Sequence, residues 1–371
     1  MQRKYSEGVI MSKKPIDYAK HACDTMMRKF AAEDLPPKGR FHYHQGVFLS
    51  GVHKTYQLCA EEKYFEYMAV WMNSVIDKNG KVLDQDGVQM DDMQPGILLY
   101  PMIARFGEGR YKTALDYLMG MFETYPRNDD GGLWHKDIYP NQMWLDGLYM
   151  GGPVCAEYGG RYNSRKHIDF VVQQACLMQK HTKDNATGLW YHAWDQSRKA
   201  KWCDPKTGLS PEFWGRSIGW VPVALLDDLD FIPKDHPGYA EVCKITVDLL
   251  LAVCRYQDDG GLWYQVVNKG GQAGNWLETS CSCLFIAAIC KAVGKGILDR
   301  KYLQNAKKGY NAVIASLEYD GDNVLIGKVC VGTGVGDYKH YCERPTSTND
   351  LHGVGAFLIM CTEVQRVYDR M

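Results

Sequence analysis

Six apolar segments rich in small residues, each directly behind an aromatic, polar or acidic cluster, constrain this chain most. They run His44-Gln-Gly46-Val-Phe-Leu, Asp91-Asp-Met-Gln-Pro-Gly96-Ile, Trp144-Leu-Asp-Gly147-Leu-Tyr-Met-Gly-Gly152, Arg216-Ser-Ile-Gly219-Trp-Val, Trp276-Leu-Glu-Thr-Ser-Cys-Ser-Cys and His352-Gly353-Val-Gly-Ala-Phe. Their spacing, roughly 50 to 75 residues, is that of a repeated helical pair with its loops. Between them lie stretches with apolar residues at helical period, over 64–76, 111–125, 168–181, 239–256 and 301–317. Small residues let backbones approach closely, so the six segments read as inner helices and the charged stretches as outer ones. Six such pairs closing on one another predict an all-α (α/α)6 barrel, with every inner helix starting at the same end.

Strand-like alternation is scarce; the stretch 323–331 predicts one short hairpin in a loop. The chain has 371 residues, 46% of them hydrophobic, with no linker or low-complexity segment to divide it. Each helical pair needs its neighbours to bury its apolar face. A single domain over 1–371 is therefore expected, with 1–15 as an N-terminal extension.

A net charge of −1 gives no footprint for nucleic acid or an anionic membrane. No apolar run reaches the ~20 residues that cross a bilayer, and the first residues lack a secretory apolar core. Thirteen cysteines without a C-x-x-C pair suit free thiols in a reducing compartment better than disulfides or a zinc site. A soluble cytoplasmic protein is the expectation.

Two carboxylates are candidates for acid–base chemistry. Asp91 precedes the second inner helix and Asp146 opens the third, so a closed ring points both into one mouth. Aspartate is also a favoured helix cap. The surroundings of Asp146, aromatic and small, predict a raised pKa and a protonated carboxyl. His42, His44, His135, His192 and His352 all fall at predicted inner mouths; without an H-E-x-x-H spacing they read as polar ligand contacts rather than metal ligands. Arg216, beside Trp214 and Trp220, offers a fork for a carboxylate next to a stacking face. Gly215-Arg-Ser217-Ile-Gly219 matches G-x-S-x-G, but no buried strand precedes it, which argues against Ser217 as a nucleophile. Gly332-Thr-Gly-Val-Gly336 lacks the context of a nucleotide loop and is expected to line the mouth with Thr333. The recurring Gly-Leu-Trp at 132, 188 and 261 reads as a tight turn with an aromatic wedge.

Several longer motifs carry a family likeness. His42-Tyr-His-Gln-Gly46, Trp134-His-Lys-Asp137, Gln142-Met-Trp-Leu-Asp-Gly-Leu-Tyr-Met-Gly-Gly-Pro153, Tyr191-His-Ala-Trp194, Glu212-Phe-Trp-Gly-Arg-Ser-Ile-Gly-Trp220 and Ser347-Thr-Asn-Asp-Leu-His-Gly353 resemble the unsaturated rhamnogalacturonyl hydrolases, glycoside hydrolase family 105. The likeness runs from about residue 16 to the C-terminus. It implies an (α/α)6 barrel that cleaves an unsaturated galacturonyl–rhamnose disaccharide left by rhamnogalacturonan lyases, by hydrating a vinyl ether, with no cofactor or metal. It places Asp146 as general acid/base and Asp91 as the second functional aspartate, with Asp92 its close rival. Tyr43, His135, Lys136, Trp144, His192, Arg216 and Trp220 fall on substrate-binding positions, and Phe41 stands where a Trp occurs; the placement of His42, Thr333 and His352 at the mouth adds these three as expected substrate contacts. The rival readings are an unsaturated glucuronyl hydrolase on glycosaminoglycan-type fragments, a sugar epimerase on the same barrel, and a non-catalytic sugar binder.

Overall fold

The computed structural model describes residues 13–371 except Asp86, so the expected extension over 1–15 falls almost wholly outside the described residues. Helices alternate outer and inner along the chain. The outer set is α1 (Pro15–Lys29), α3 (Glu62–Val75), α5 (Gly109–Thr124), α7 (Arg165–Thr182), α9 (Tyr239–Cys254) and α11 (Leu303–Ala315). The inner set is α2 (Tyr43–Cys59), α4 (Leu99–Phe106) with the 3-10 turn Gln94–Leu98 ahead of it, α6 (Asp146–Arg161), α8 (Gly215–Asp228), α10 (Thr279–Gly294) and α13 (Leu351–Val367). Each inner helix packs on the next, and α13 packs back on α2, closing the (α/α)6 ring. A short extra helix, α12 (Tyr338–Cys342), sits in the loop before α13. Trp276 lies in the loop ahead of α10 rather than in the helix.

The two sets differ as their sequences require. Nearly every residue of α8, α10 and α13 is buried, whereas α5 and α7 bury one face. Small residues set the inner spacing. A Cβ on Gly355 of α13 would stand 2.6 Å from the Val47 carbonyl oxygen of α2, and one on Gly51 would stand 2.6 Å from Leu358 Cβ. Glycine is needed there because backbone meets backbone.

Loops at the helix starts are tied by short pairings. Strand β1 (Gln142–Trp144) runs antiparallel to β2 (Ala193–Asp195), setting Trp144 opposite Ala193. The expected hairpin over 323–331 is corrected. Asn323–Leu325 pairs with Glu318–Asp320, while Val329–Cys330 pairs with Thr346–Ser347, because Lys328 turns the chain at positive φ between the halves. The Gly-Leu-Trp turns are structural: Gly188 and Gly261 take φ of +76° and +104°, and Trp190 and Trp263 are fully buried behind them. Among the described residues, no helix is long and apolar enough to cross a membrane.

Gly355→Ala should destabilise the protein by about 1–3 kcal/mol, since the α2 backbone blocks the added methyl. Gly120→Ala, on the exposed face of α5 with nothing within 4 Å, should instead gain up to about 1 kcal/mol of helix propensity. Urea unfolding midpoints of the two variants check the contrast.

Candidate active site

The starts of the inner helices converge on one mouth. His42, ahead of α2, lies 3.8 Å from Asp91, ahead of α4; His192, in the loop leading to α8, lies 3.0 Å from Asp146 at the first turn of α6. A bridge between Gln89 and Lys136 lays the two neighbouring loops side by side, and Met90 N–H donates to the His135 carbonyl at 3.0 Å. That pairing carries Lys136 to Asp91.

Asp91 is buried and ringed by cationic and imidazole groups: Lys136 Nζ at 2.5 Å, His135 Nε2 at 3.7 Å and His42 Nε2 at 3.8 Å. Burial pushes its carboxyl up, but His135, Lys136 and His42 together hold it below the usual value. The adjacent Asp92 turns away, accepting from Gln89 Nε2 at 2.9 Å with Arg40 at 3.9 Å. Of the two aspartates, Asp91 is therefore the one that joins the mouth. Burial brings both His42 and His135 down to about 4, so each is neutral at pH 7.

Asp146 sits at the end of a hydrogen-bonded chain. The Gly336 N–H donates to Tyr341 Oη at 3.2 Å, the Tyr341 hydroxyl lies 2.7 Å from His192 Nδ1, and His192 Nε2 lies 3.0 Å from Asp146 Oδ2. Burial keeps the Tyr341 phenol protonated, well above its usual range, so it donates to Nδ1. His192 must then carry its proton on Nε2 and donate it to Asp146. Trp214 stacks against Tyr341 and packs on the His192 ring, locking both.

The raised pKa expected for Asp146 is corrected. Burial does push the carboxyl up, and Asp91 adds to that. The His192 hydrogen bond and the neighbouring His192 and His135 imidazoles outweigh both, and the net direction is down. The aromatic neighbours on its own segment could not reveal a histidine arriving from another loop.

Other expected site residues divide into two groups. Trp144 is at the mouth, stacked between His135 at 4.4 Å and Tyr139 at 5.0 Å. Tyr43 is half-buried beside His42 and His44. The loop 332–336 crosses above them: a Cβ on Gly332 would stand 3.4 Å from Tyr43 Oη, and one on Gly334 would stand 3.8 Å from Trp144. Thr333 rides on this loop with its hydroxyl 2.8 Å from His340 Nε2.

Three expected contacts are not at the mouth surface. Arg216 is 2% exposed, and its fork donates to the Cys330 and Val331 carbonyls at 2.5 and 3.0 Å while lying over Trp214. The expected carboxylate clamp is thus replaced by a brace on the loop before α13. Trp220 is buried and stacks on Tyr149 inside the barrel. His352 is fully buried with Nε2 on the Cys330 carbonyl. Ser217 is also buried, donating to the Trp214 carbonyl, which removes it as a nucleophile. Tyr341 joins this hydrogen-bonded chain although sequence reasoning missed it; it lies in a five-residue helix and meets His192 149 residues away.

A cavity of about 1010 Å³ opens at the opposite end of the barrel, lined by residues such as Lys54, Glu157, Asp227 and Lys291. None of the mouth residues lines it, so size does not mark the site here.

Tyr341→Phe should release His192 from its single tautomer. Nitrogen-15 NMR of the imidazole should then show mixed Nδ1 and Nε2 protonation; an unchanged Nε2–H pattern would mean that Tyr341 does not set it.

The model of Glycosyl Hydrolase Family 88 matches residues 18–368. A solved structure of a family 105 glycoside hydrolase from C. acetobutylicum ATCC 824 superposes with a TM-score of 0.89 at 32% identity, covering 93% of this chain and 98% of that one. The unsaturated rhamnogalacturonyl hydrolase YesR of Bacillus subtilis (strain 168) is 26% identical over 333 residues, covering 88% of this chain and 90% of YesR. The unsaturated glucuronyl hydrolase of Bacillus sp. GL1, at 14% identity and a TM-score of 0.69, shares the fold. With its twelve-helix ring and its paired aspartates, the chain belongs to Glycosyl Hydrolase Family 88 and to glycoside hydrolase family 105, the glycosidases of unsaturated uronyl sugars.

Proposed function

We propose that this enzyme releases the unsaturated 4-deoxy galacturonyl residue from the disaccharides that rhamnogalacturonan lyases leave. The observation that carries the reading is the Asp146–His192 pair at 3.0 Å, held beside Asp91 in a mouth of inner-helix N-termini. The name of the YesR relative, which aligns over most of both chains, supports the choice of sugar.

An enol ether is already activated toward protonation, so one positioned acid suffices. Asp146 protonates C4 of the C4=C5 double bond, and the positive charge at C5 is shared with the ring oxygen. Water, deprotonated by the Asp146 carboxylate, adds at C5. The hemiketal opens to a C5 ketone, leaving C1 as an open-chain hemiacetal that expels the rhamnose as an alcohol. No covalent glycosyl-enzyme forms, so the carboxylate-separation rule for anomeric hydrolysis does not apply.

In the free protein Asp146 is held below the usual carboxylate range. Its carboxyl therefore takes up a proton from solvent when an anionic uronate arrives beside it, since a like charge raises a carboxyl pKa. Inner-helix N-termini favour that uronate. Asp91, neutralised by Lys136, orients water and substrate. Thirteen free cysteines support a reducing, cytoplasmic setting for the reaction.

Asp146→Asn keeps the shape but removes the transferable proton. It should lower kcat by ~100-fold or more with affinity within a few-fold. In heavy water the released keto-uronate should carry deuterium at C4. A saturated uronic acid product, or near-normal kcat in Asp146→Asn, would overturn the mechanism. Faster turnover of an unsaturated glucuronyl disaccharide than of the galacturonyl–rhamnose one would shift the substrate to the glycosaminoglycan type.

A further inference from the structure

Where the first and last inner helices meet, three side chains that the proposed chemistry does not use come together. His44, on the first turn of α2, faces Asp350 and His352 at the start of α13. Each can offer one ligand atom, and the three atoms lie within 4.8 Å of one another. His352 Nε2 lies 3.0 Å from the Cys330 carbonyl, which can only accept, so that nitrogen carries the hydrogen and Nδ1 is a lone pair. This Nδ1 is fully buried without a well-formed hydrogen bond and stands 2.7 Å from Asp350 Oδ1.

His44 stands beside them, and its neighbour His42 turns Nε2 toward the Asp91 carboxylate, 3.8 Å away. The His42 Nδ1 lies 3.0 Å from His44 Nδ1, which occupies that nitrogen and leaves the other His44 nitrogen to face the cluster. A buried imidazole lone pair, a carboxylate and a second imidazole nitrogen thus converge, a costly arrangement unless a cation or a proton fills it.

We propose that His44, Asp350 and His352 bind a divalent transition-metal ion of the zinc class, pinning the start of α13 to the start of α2. Two imidazoles and one carboxylate are ligands for such an ion, and not for calcium or magnesium, which take oxygen. Both imidazoles have the outer support that metal-bound histidines show, a second ring nitrogen held by a carbonyl or a neighbouring imidazole. The Arg216 guanidinium also acts on Asp350 and opposes a dication. The other occupant of such a nest is a proton, which would make His352 an imidazolium paired with Asp350.

The test uses chelator-treated full-length enzyme titrated with Zn²⁺ by calorimetry and with Co²⁺ by visible absorption. One ion per chain is expected, with a higher Tm and cobalt d–d bands free of thiolate charge transfer, which excludes the cysteines as ligands. Asp350→Asn and His44→Gln should each weaken binding at least about tenfold, with circular dichroism checking that both fold. Nitrogen-15 NMR should show His352 protonated on Nε2 alone. No binding by the parent protein, binding unchanged in both variants, or a His352 imidazolium in the presence of zinc would overturn the site.

Discussion

The contact on which everything else hangs is the near-touching of backbones around the inner ring. Where Gly355 lies on the Val47 carbonyl and Gly51 on Leu358, two helices pack as closely as main chain permits. Spacing that tight closes six inner helices into one ring, and the alternation of outer and inner helices makes all six start at the same end. One end of the barrel thereby gathers six positive helix ends and the other six negative ones. The buried carboxylates Asp91 and Asp146 are found at the positive end. At the negative end Lys291 pairs with Asp227, and basic residues such as Arg161 and Arg366 flank the inner C-termini.

Buried charge at the mouth is tolerable only because it is paired. Asp91 has Lys136 at 2.5 Å, and Asp146 has the buried His192. Removing one partner from such a pair leaves a desolvated charge and costs far more than the pair's net contribution. The mouth is consequently stiff: Trp144 is wedged between His135 and Tyr139, and Trp214 braces His192 and Tyr341. The loop 332–336 lies over this cluster, and Arg216 fastens its base through two carbonyls.

How much of this was legible in the sequence depends on the range of each signal. The barrel was legible because helical period and small-residue runs are local and repeat six times. The gathering of Asp91, Asp146, His42, His135, Lys136 and His192 followed from placing each at a helix start. The directions of side chains did not follow. Arg216 and His352 occupy expected positions but turn toward the Cys330 carbonyl, which lies 114 and 22 residues away. The strand Val329–Cys330 carries no strong pattern, and its pairing with Thr346–Ser347 places that carbonyl. Tyr341 was illegible for the same reason: a single tyrosine in a five-residue helix has no period to mark it.

The corrected protonation of Asp146 follows from the same long-range contact. A carboxyl in an apolar pocket is raised by burial, which is what the surrounding residues of its own segment foretell. His192 reverses the sign because Tyr341 fixes its tautomer with the hydrogen toward Asp146. A donor aimed at the carboxylate favours its charged form, so the acid is stored as a paired anion. Only a ligand that brings negative charge close to Asp146, or that separates it from His192, restores the proton to the carboxyl. An unsaturated uronate brings that charge, whereas a neutral sugar of the same size does not. In the proposed mechanism the pair would couple recognition of the substrate's carboxylate to the readiness of the acid.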